Sequence, residues 1–494
     1  MSGNNRRELL EILSRFAGGG VAGITRPAGD DAASVFREHL PVAEHHRALD
    51  RETLLVLGGR GTGKTQLFRA LGSAQNPEDL QKLRGQRAPS TGDDRYIPGF
   101  TTSGTTFPAP RVVESVLARA DSDPGHLWVG FLAGALLKDQ TTTGAMSKRL
   151  GDQLVTLLQR ELTNPALWLS CVAENVANVM QAFDDVETTL SQSQRFVIVI
   201  YDDLDVLAST VADVYPLVRK LLAFWLSNAR RWRALRGKIF LRTDIFESEG
   251  LAFPDSSKLR PLSVTLRWNA DNLYRLVLKR LLNGTDSEAW PQYIKRFIKS
   301  SKLKNRGVWG IVPETDERNH RSFMEQLVGK WMGSDKRRGD TYQWFLNHLQ
   351  DSRGDIAPRS FLKLFELSGE HQLRTPGPPD DHLLSPEQIM GALSDVSMDR
   401  IQELGEEYTW IGEVSSKLKG NTVPMSRRDC FSLFRKIEPE RLPSMIRSRP
   451  EQLVDYLMSL GILRETDDQR IHVPDIYLFG FEMKRKGGIR RPHA

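Results

Sequence analysis

Cysteine is almost missing from these 494 residues: only Cys171 and Cys430 occur, far apart and with no histidine or cysteine partner at ligand spacing. A disulfide framework and a structural zinc site are both disfavoured by that scarcity. Long apolar runs are lacking too. No window reaches the roughly eighteen apolar residues that a membrane span needs. The opening stretch, MSGNNRRELLEIL, is charged and has no apolar leader core. A reduced, cytoplasmic protein without a membrane partner is therefore expected. Nor is one sign of charge in great excess: 68 Lys and Arg stand against 62 Asp and Glu, for a formal net charge of +6. That permits contact with nucleic acid without demanding it. The local exception is the C-terminal tail, where Lys484, Arg485, Lys486, Arg490 and Arg491 crowd together. A solvated tail and a contact with a phosphate backbone both fit it.

What is present has ordinary globular proportions, with 39% hydrophobic and 26% charged residues. The length exceeds one compact core and predicts about two to four domains. Residues 1–50 read as a helical adaptor broken by the glycine-rich AGGGVAG around Gly18 to Gly23. A short apolar strand at Leu54 to Leu57 then passes through a glycine loop into an amphipathic helix from Lys64. Residues 72–125 read as an insertion, with TTSGTTF as its strand. Helical periodicity follows, interrupted by QRFVIVIYDDLD and later by KIFLRTDIF. Continuous apolar runs of this length suit strands buried on both faces of a parallel sheet. Strands separated by helices imply right-handed crossovers. The core is thus assigned to 51–267, a helical lid without strands to 268–373, and a proline-rich linker to 374–386. Residues 387–483 read as a winged helix: helices near 386–407, 426–437 and 450–461, then two short strands about a TDDQ turn. Residues 484–494 form the basic tail. The expected fold class is α/β: a parallel-sheet core, a helical lid domain and a C-terminal winged-helix domain.

The pattern GxxxxGK[ST] is met in full by Gly58, Gly59, Arg60, Gly61, Thr62, Gly63, Lys64 and Thr65. Such a loop turns its backbone N–H groups inward around phosphates, which demands left-handed torsions and leaves no room for Cβ atoms. Lys64 then reaches the β- and γ-phosphates, Thr65 ligates Mg²⁺, and the following helix, with Gln66 in its first turn, adds its positive end to the same anion. An ordinary glycine-rich turn is the bland alternative. It accounts neither for the preceding buried strand nor for the following helix.

Magnesium also needs a carboxylate, and the water that attacks a γ-phosphate needs orienting. FVIVIYDDLD offers both at the end of an apolar strand: Asp202 in the metal position, Asp203 where a water-polarising acid would sit, and Asp205 nearby. The alternative is an aspartate cluster that caps the next helix. The candidate cofactors are ATP and Mg²⁺.

With GGRGTGKT and VIVIYDDLD in hand, the chain resembles the AAA+ and STAND-like branch of P-loop ATPases, whose Walker A and Walker B motifs these match. YDDLDVL, FLRTDIF, DSSKL with LRWNADNLYRLVLKRL, and DIAPRSFLKL make it similar to KAP-like ATPases of bacterial antiviral defence islands. The resemblance implies ATP hydrolysis, a sensor 1 at Thr243 or Asp244 with Arg242 beside it, and a sensor 2 at Arg359. Arg242 could equally form an ion pair with Asp244 or Asp205, and Arg359 could be a solvated helix-start arginine. An arginine finger would come from Arg230, Arg231, Arg233 or Arg236, read as lying on the helix before the sensor strand. The resemblance further implies a homo-oligomer and a partner effector protein, with double-stranded DNA or another nucleic acid as a further partner.

The candidate recognition helix carries Arg427, Arg428, Arg435 and Lys436 beside Cys430, Phe431, Leu433 and Phe434. It could dock DNA or protein. Trp225, Trp232, Trp268, Trp331 and Trp344 recur at helical spacing and read as core rather than as base-stacking platforms. No nuclease constellation emerges outside the nucleotide site.

Overall fold

A computed structural model describes residues 3–15, 32–74, 93–118, 123–208, 211–247, 251–285, 287–375, 382–442 and 450–486. The chain forms two compact units, Arg26–Arg267 on the one hand and Met1–Thr25 with Trp268–Ala494 on the other. The segment read as one N-terminal adaptor is therefore divided between them.

The first unit is built on five strands: β1 (Leu55–Gly58), β2 (Asp93–Phe100), β3 (Arg195–Tyr201), β4 (Leu235–Arg242) and β5 (Ser263–Thr265). Their order is β2-β3-β4-β1-β5, and every neighbouring pair is parallel. Helices cover such a sheet on both faces, so its interior strands lose the polar alternation of a half-solvated sheet. Val197, Ile198, Val199, Ile200 and Tyr201 of β3 are all buried. β4 hides Lys238 as well, whose ammonium donates to Asp50 O at 3.0 Å and Thr53 O at 2.7 Å.

The supposed insertion contains a core strand. β2 is DDRYIPGF, and TTSGTTF, expected to be the strand, forms the bends that follow it. β2 pairs on one side only, with β3, and the register slips between Pro98 and Phe100. An edge position is where a proline, which has no N–H to donate, is tolerated.

The helix Pro124–Lys138 is buried on all sides from Leu127 to Leu137. Its glycines make room for neighbours: a Cβ on Gly130 would lie 2.1 Å from the Trp168 ring. Trp128, Phe131, Trp168 and Tyr201 meet edge to face around Phe100, with Trp225 and Trp232 continuing the cluster.

The second unit is mostly helical. Gly3–Leu13, Ala270–Asn283, Ala289–Lys295, Glu317–Leu327, Thr341–Leu349, Pro358–Arg374 and Pro386–Glu407 form its first part. Leu9 accepts from the Trp290 indole at 3.1 Å, which ties the N-terminal helix to this unit. Strands do not vanish after Trp268 as expected. Leu303–Asn305 and Ile311–Pro313 pair antiparallel, three residues each and too charged or short to stand out in the sequence.

Pro386–Glu407 packs along Pro358–Arg374, with His371 meeting Asp395 at 2.7 Å. The first helix of the C-terminal trio is instead Ile411–Leu418, which the sequence reading missed, followed by Arg427–Phe434 and Pro450–Ser459. A three-stranded antiparallel sheet completes it, in the order Arg464–Glu465, Arg470–His472, Met425–Ser426. The beginning of the basic tail is ordered. Lys484–Arg485 pairs with Thr422–Val423, and Arg485 reaches Asp475 at 2.6 Å. Arg490, Arg491 and residues 376–381 of the proline-rich linker lie outside the described residues.

Candidate nucleotide site

In a parallel sheet the C-terminal strand ends share one edge, and ligands sit in the crevice there. β1, β3 and β4 deliver Gly58, the Asp202–Asp203 pair and Arg242 to that edge, with Gly58 in register with Arg242.

After β1 the chain turns through Gly61 (φ 76°) and Gly63 (φ 95°) into the helix Lys64–Ser73. Both torsions are left-handed, which glycine adopts without a Cβ penalty. Gly58 is required for another reason: a Cβ there would fall 2.3 Å from Thr62 Oγ1. The Thr62 hydroxyl donates to Gly59 O at 2.8 Å and closes the turn. Arg60 is half-buried beside it. Lys64 Nζ donates to Gly58 O and Gly59 O, both at 2.9 Å. Burial lowers the Lys64 pKa, while the charges of Asp202 and Asp205 oppose that shift. Gln66 Nε2 contacts Val35 O at 3.4 Å, so this side chain leans toward the helix Ala32–Glu38.

Asp202 is only 3% exposed, and its N–H donates to Phe100 O at 3.0 Å. The Thr65 hydroxyl hydrogen-bonds its carboxylate. The other oxygen, Oδ2, is buried without any hydrogen-bond partner. Burial, then the neighbouring Asp203 charge, push this carboxyl up to about 7, against the pull of Thr65 and Lys64. A buried carboxylate oxygen with no donor is costly in isolation. A hard divalent cation between it and the Thr65 hydroxyl would remove that cost, so these two residues fit Mg²⁺. Among the described residues there is no cluster of three or more His, Cys, Asp and Glu that could hold a metal.

Asp203 adopts a left-handed backbone, φ 58° and ψ 28°. Its Oδ2 accepts from Thr101 Oγ1 at 2.9 Å, Thr102 N at 3.1 Å and Thr102 Oγ1 at 2.8 Å. Sequence reasoning missed both threonines, because the bond joins positions about a hundred residues apart. The nearest signal was TTSGTTF itself, read there as a strand.

Arg242 is bound on two sides, to Asp244 at 2.7 Å and to Asp205 at 3.4 Å. The ion pairs weighed for it are both formed. Thr243 opens the short helix Thr243–Glu247 directly after it and is half-buried. Arg359 lies in the second unit, in the first turn of Pro358–Arg374, where its Nη1 meets Glu403 at 3.1 Å.

The finger candidates are not on a helix. That helix ends at Asn228, Arg230, Arg231 and Arg233 lie in the turn after it, and Arg236 is within β4 near its start. This is the opposite end of the strand from Arg242. Arg231 is bonded to Asp184, and Arg236 to Glu52 at 3.0 Å.

No family model matches this chain. No curated protein matches it either. Among solved structures, the Aeropyrum pernix ORC1 protein in complex with DNA aligns at 12% identity and a TM-score of 0.32, covering 92% of this chain and 96% of its own. Cdc6p from Pyrobaculum aerophilum aligns at 11% identity, 92% of each chain and a TM-score of 0.29. The Aeropyrum pernix ORC2 protein, in ADPNP–ADP complexes, gives 10%, 93% of each chain and 0.30. Likeness this slight carries no argument about the site, which stands on its own residues.

Proposed function

We propose that this chain binds ATP with Mg²⁺ at residues 58–66 and hydrolyses it, as an AAA+ or STAND-like switch or motor. The observation that carries the reading is the donorless Asp202 oxygen beside Thr65, next to a glycine loop already wound for phosphate. Bound Mg²⁺ supplies charge neutralisation on the phosphate oxygens. The chain supplies the rest. Amides of 59–65 and the Lys64 ammonium hold the phosphates, Thr65 and Asp202 hold the metal, and Asp203 positions the attacking water. Thr243 and Arg359 act as sensors of the γ-phosphate, so that the lid closes on binding and reopens after hydrolysis.

The setting that the motif resemblance favours is bacterial antiviral defence, with the C-terminal helices and small sheet acting as a winged helix that passes the change to DNA or a partner effector within an oligomer. A cytoplasmic location goes with it. No helix among the described residues is long and apolar enough to cross a membrane.

One observation favours a slower relative of this reading. The carboxylate that would polarise water is already held by three donors, which suits a scaffold that binds nucleotide tightly and turns over rarely. The third reading, an ATP-regulated DNA-binding regulator, gains less: Arg427 is shared between Asp455 and Glu465.

Phosphate release by purified protein, with and without duplex DNA, tests the proposal when set beside Lys64→Ala. Loss of nucleotide binding by at least about a hundredfold is expected, since a buried phosphate-binding ammonium disappears. Turnover unchanged by the substitution would remove the site from consideration.

A further inference from the structure

Residues 295–306, KRFIKSSKLKNR, contain six basic side chains and no acidic one. The whole chain carries a formal net charge of only +6, so this short stretch is locally far more positive than the chain as a whole. It runs from the end of the helix Ala289–Lys295 into the antiparallel pair Leu303–Asn305 and Ile311–Pro313. Lys295, Arg296, Lys299, Lys304 and Arg306 are exposed.

The hairpin is rigidly mounted. Arg275, Lys279 and Asn283 recur every four residues along one stripe of the helix Ala270–Asn283. They donate to the carbonyls of Pro313 at 3.0 Å, Trp309 at 2.7 Å and Ile311 at 2.8 Å, respectively. Ile311 N returns a bond to Asn283 Oδ1 at 2.7 Å. The Trp309 side chain is buried beneath the tip. The return strand is thus clamped, while Lys304 lies in the other strand and Lys302 and Arg306 flank it, their backbones bonded to Glu314 and Gly310 across the pair. Residues i, i+2 and i+4 of a strand share a face at about 6.6 Å intervals.

Two of these cations meet carboxylates, Lys302 with Asp316 at 3.6 Å and Arg306 with Glu314 at 2.6 Å, but all four side chains are 41% to 59% exposed. Ion pairs so exposed to water contribute little and exchange readily. The recognition-helix arginines differ, since Arg427 is shared between two carboxylates.

We infer that this hairpin is a sequence-independent binding surface for the phosphate backbone of double-helical DNA. Fixed cations at regular spacing match a regular lattice of fixed anions. A single-stranded ligand would call for exposed aromatic stacking platforms, and the tryptophan of this hairpin is buried. A lipid surface would call for apolar insertion, yet Val308 is the one large apolar side chain of the tip that is exposed, at 47%.

Fluorescence anisotropy of the full chain on a labelled duplex of arbitrary sequence, without nucleotide and across a salt series, tests this. The variant Lys295→Ala with Lys299→Ala and Lys304→Ala is expected to bind at least about tenfold more weakly. The slope of log K against log salt should shrink by roughly 2.7, at about 0.9 per lost phosphate contact. The corresponding Lys→Arg triple should bind like the parent, which separates charge from folding. Lys64→Ala should bind DNA like the parent too, so a failure here is distinct from a failure of the nucleotide reading. Parent-like binding by the alanine triple overturns the inference. So does loss of binding in Arg428→Ala with Lys436→Ala, or tighter binding to phosphatidylserine vesicles, polyglutamate or a single strand than to the duplex.

Discussion

Replacing Asp202 by asparagine should make the nucleotide-free protein more stable while abolishing its capture of Mg–ATP. The carboxyl is 3% exposed and pushed up to about 7. In the unfolded chain it titrates near ~3.9, so the folded form holds its proton more tightly. Folding therefore gains from this group at low pH, and the gain disappears as pH rises through the folded value. The full difference of about three pKa units corresponds to about 4 kcal/mol as a ceiling. Between about pH 5 and about pH 8, linkage gives a loss of roughly 2–3 kcal/mol in the parent that asparagine does not suffer.

Thermal unfolding of parent and Asp202→Asn, without nucleotide or metal, reads this directly. The melting gap should widen by several degrees from about pH 5 to about pH 8, given roughly 2–4 °C per kcal/mol for a domain of this size. Equilibrium binding of a fluorescent ATP analogue with Mg²⁺ supplies the other half, and should fall at least about tenfold in the variant. A gap that stays flat with pH, together with undiminished Mg-dependent binding, would refute both the burial argument and the metal assignment.

Thr101→Val with Thr102→Val keeps the shape of both side chains but removes two of the three donors that hold Asp203 in its left-handed conformation. Steady-state kinetics should show kcat reduced by about tenfold with KM unchanged if Asp203 aims the water, because the carboxylate loses its fixed direction; a raised kcat would favour the slow scaffold instead, and an unaltered one would show that the tether is irrelevant to turnover. Gly58→Ala forces a methyl group to 2.3 Å from Thr62 Oγ1. Nucleotide binding, followed by calorimetry, should be lost although far-ultraviolet circular dichroism stays the same.

The strands that were readable in the sequence are those buried on both faces. LVLG and VIVIY are continuous apolar runs and KIFLR has an apolar centre, a pattern that suits a central parallel position. β2 escaped because an edge strand with one partner tolerates Asp, Pro and Gly, which in isolation signal a loop. The antiparallel pair at 303–313 escaped for a similar reason: its strands are three residues each, and its carbonyls are held by Arg275, Lys279 and Asn283 of a separate helix. Within the site, the glycine loop was legible since each position answers a local steric demand. The fastening of Asp203 by Thr101 and Thr102, and of Arg242 by Asp205 and Asp244, depends on which loops the fold brings together. The finger arginines were misplaced because RRWRALR looks helical on composition, while the helix stops at Asn228 and β4 begins at Leu235.

The Lys64 ammonium is bonded to two carbonyls of its own loop. Those two bonds fix the contour of the loop from within the chain itself, so holding phosphates there should carry little penalty for ordering the backbone.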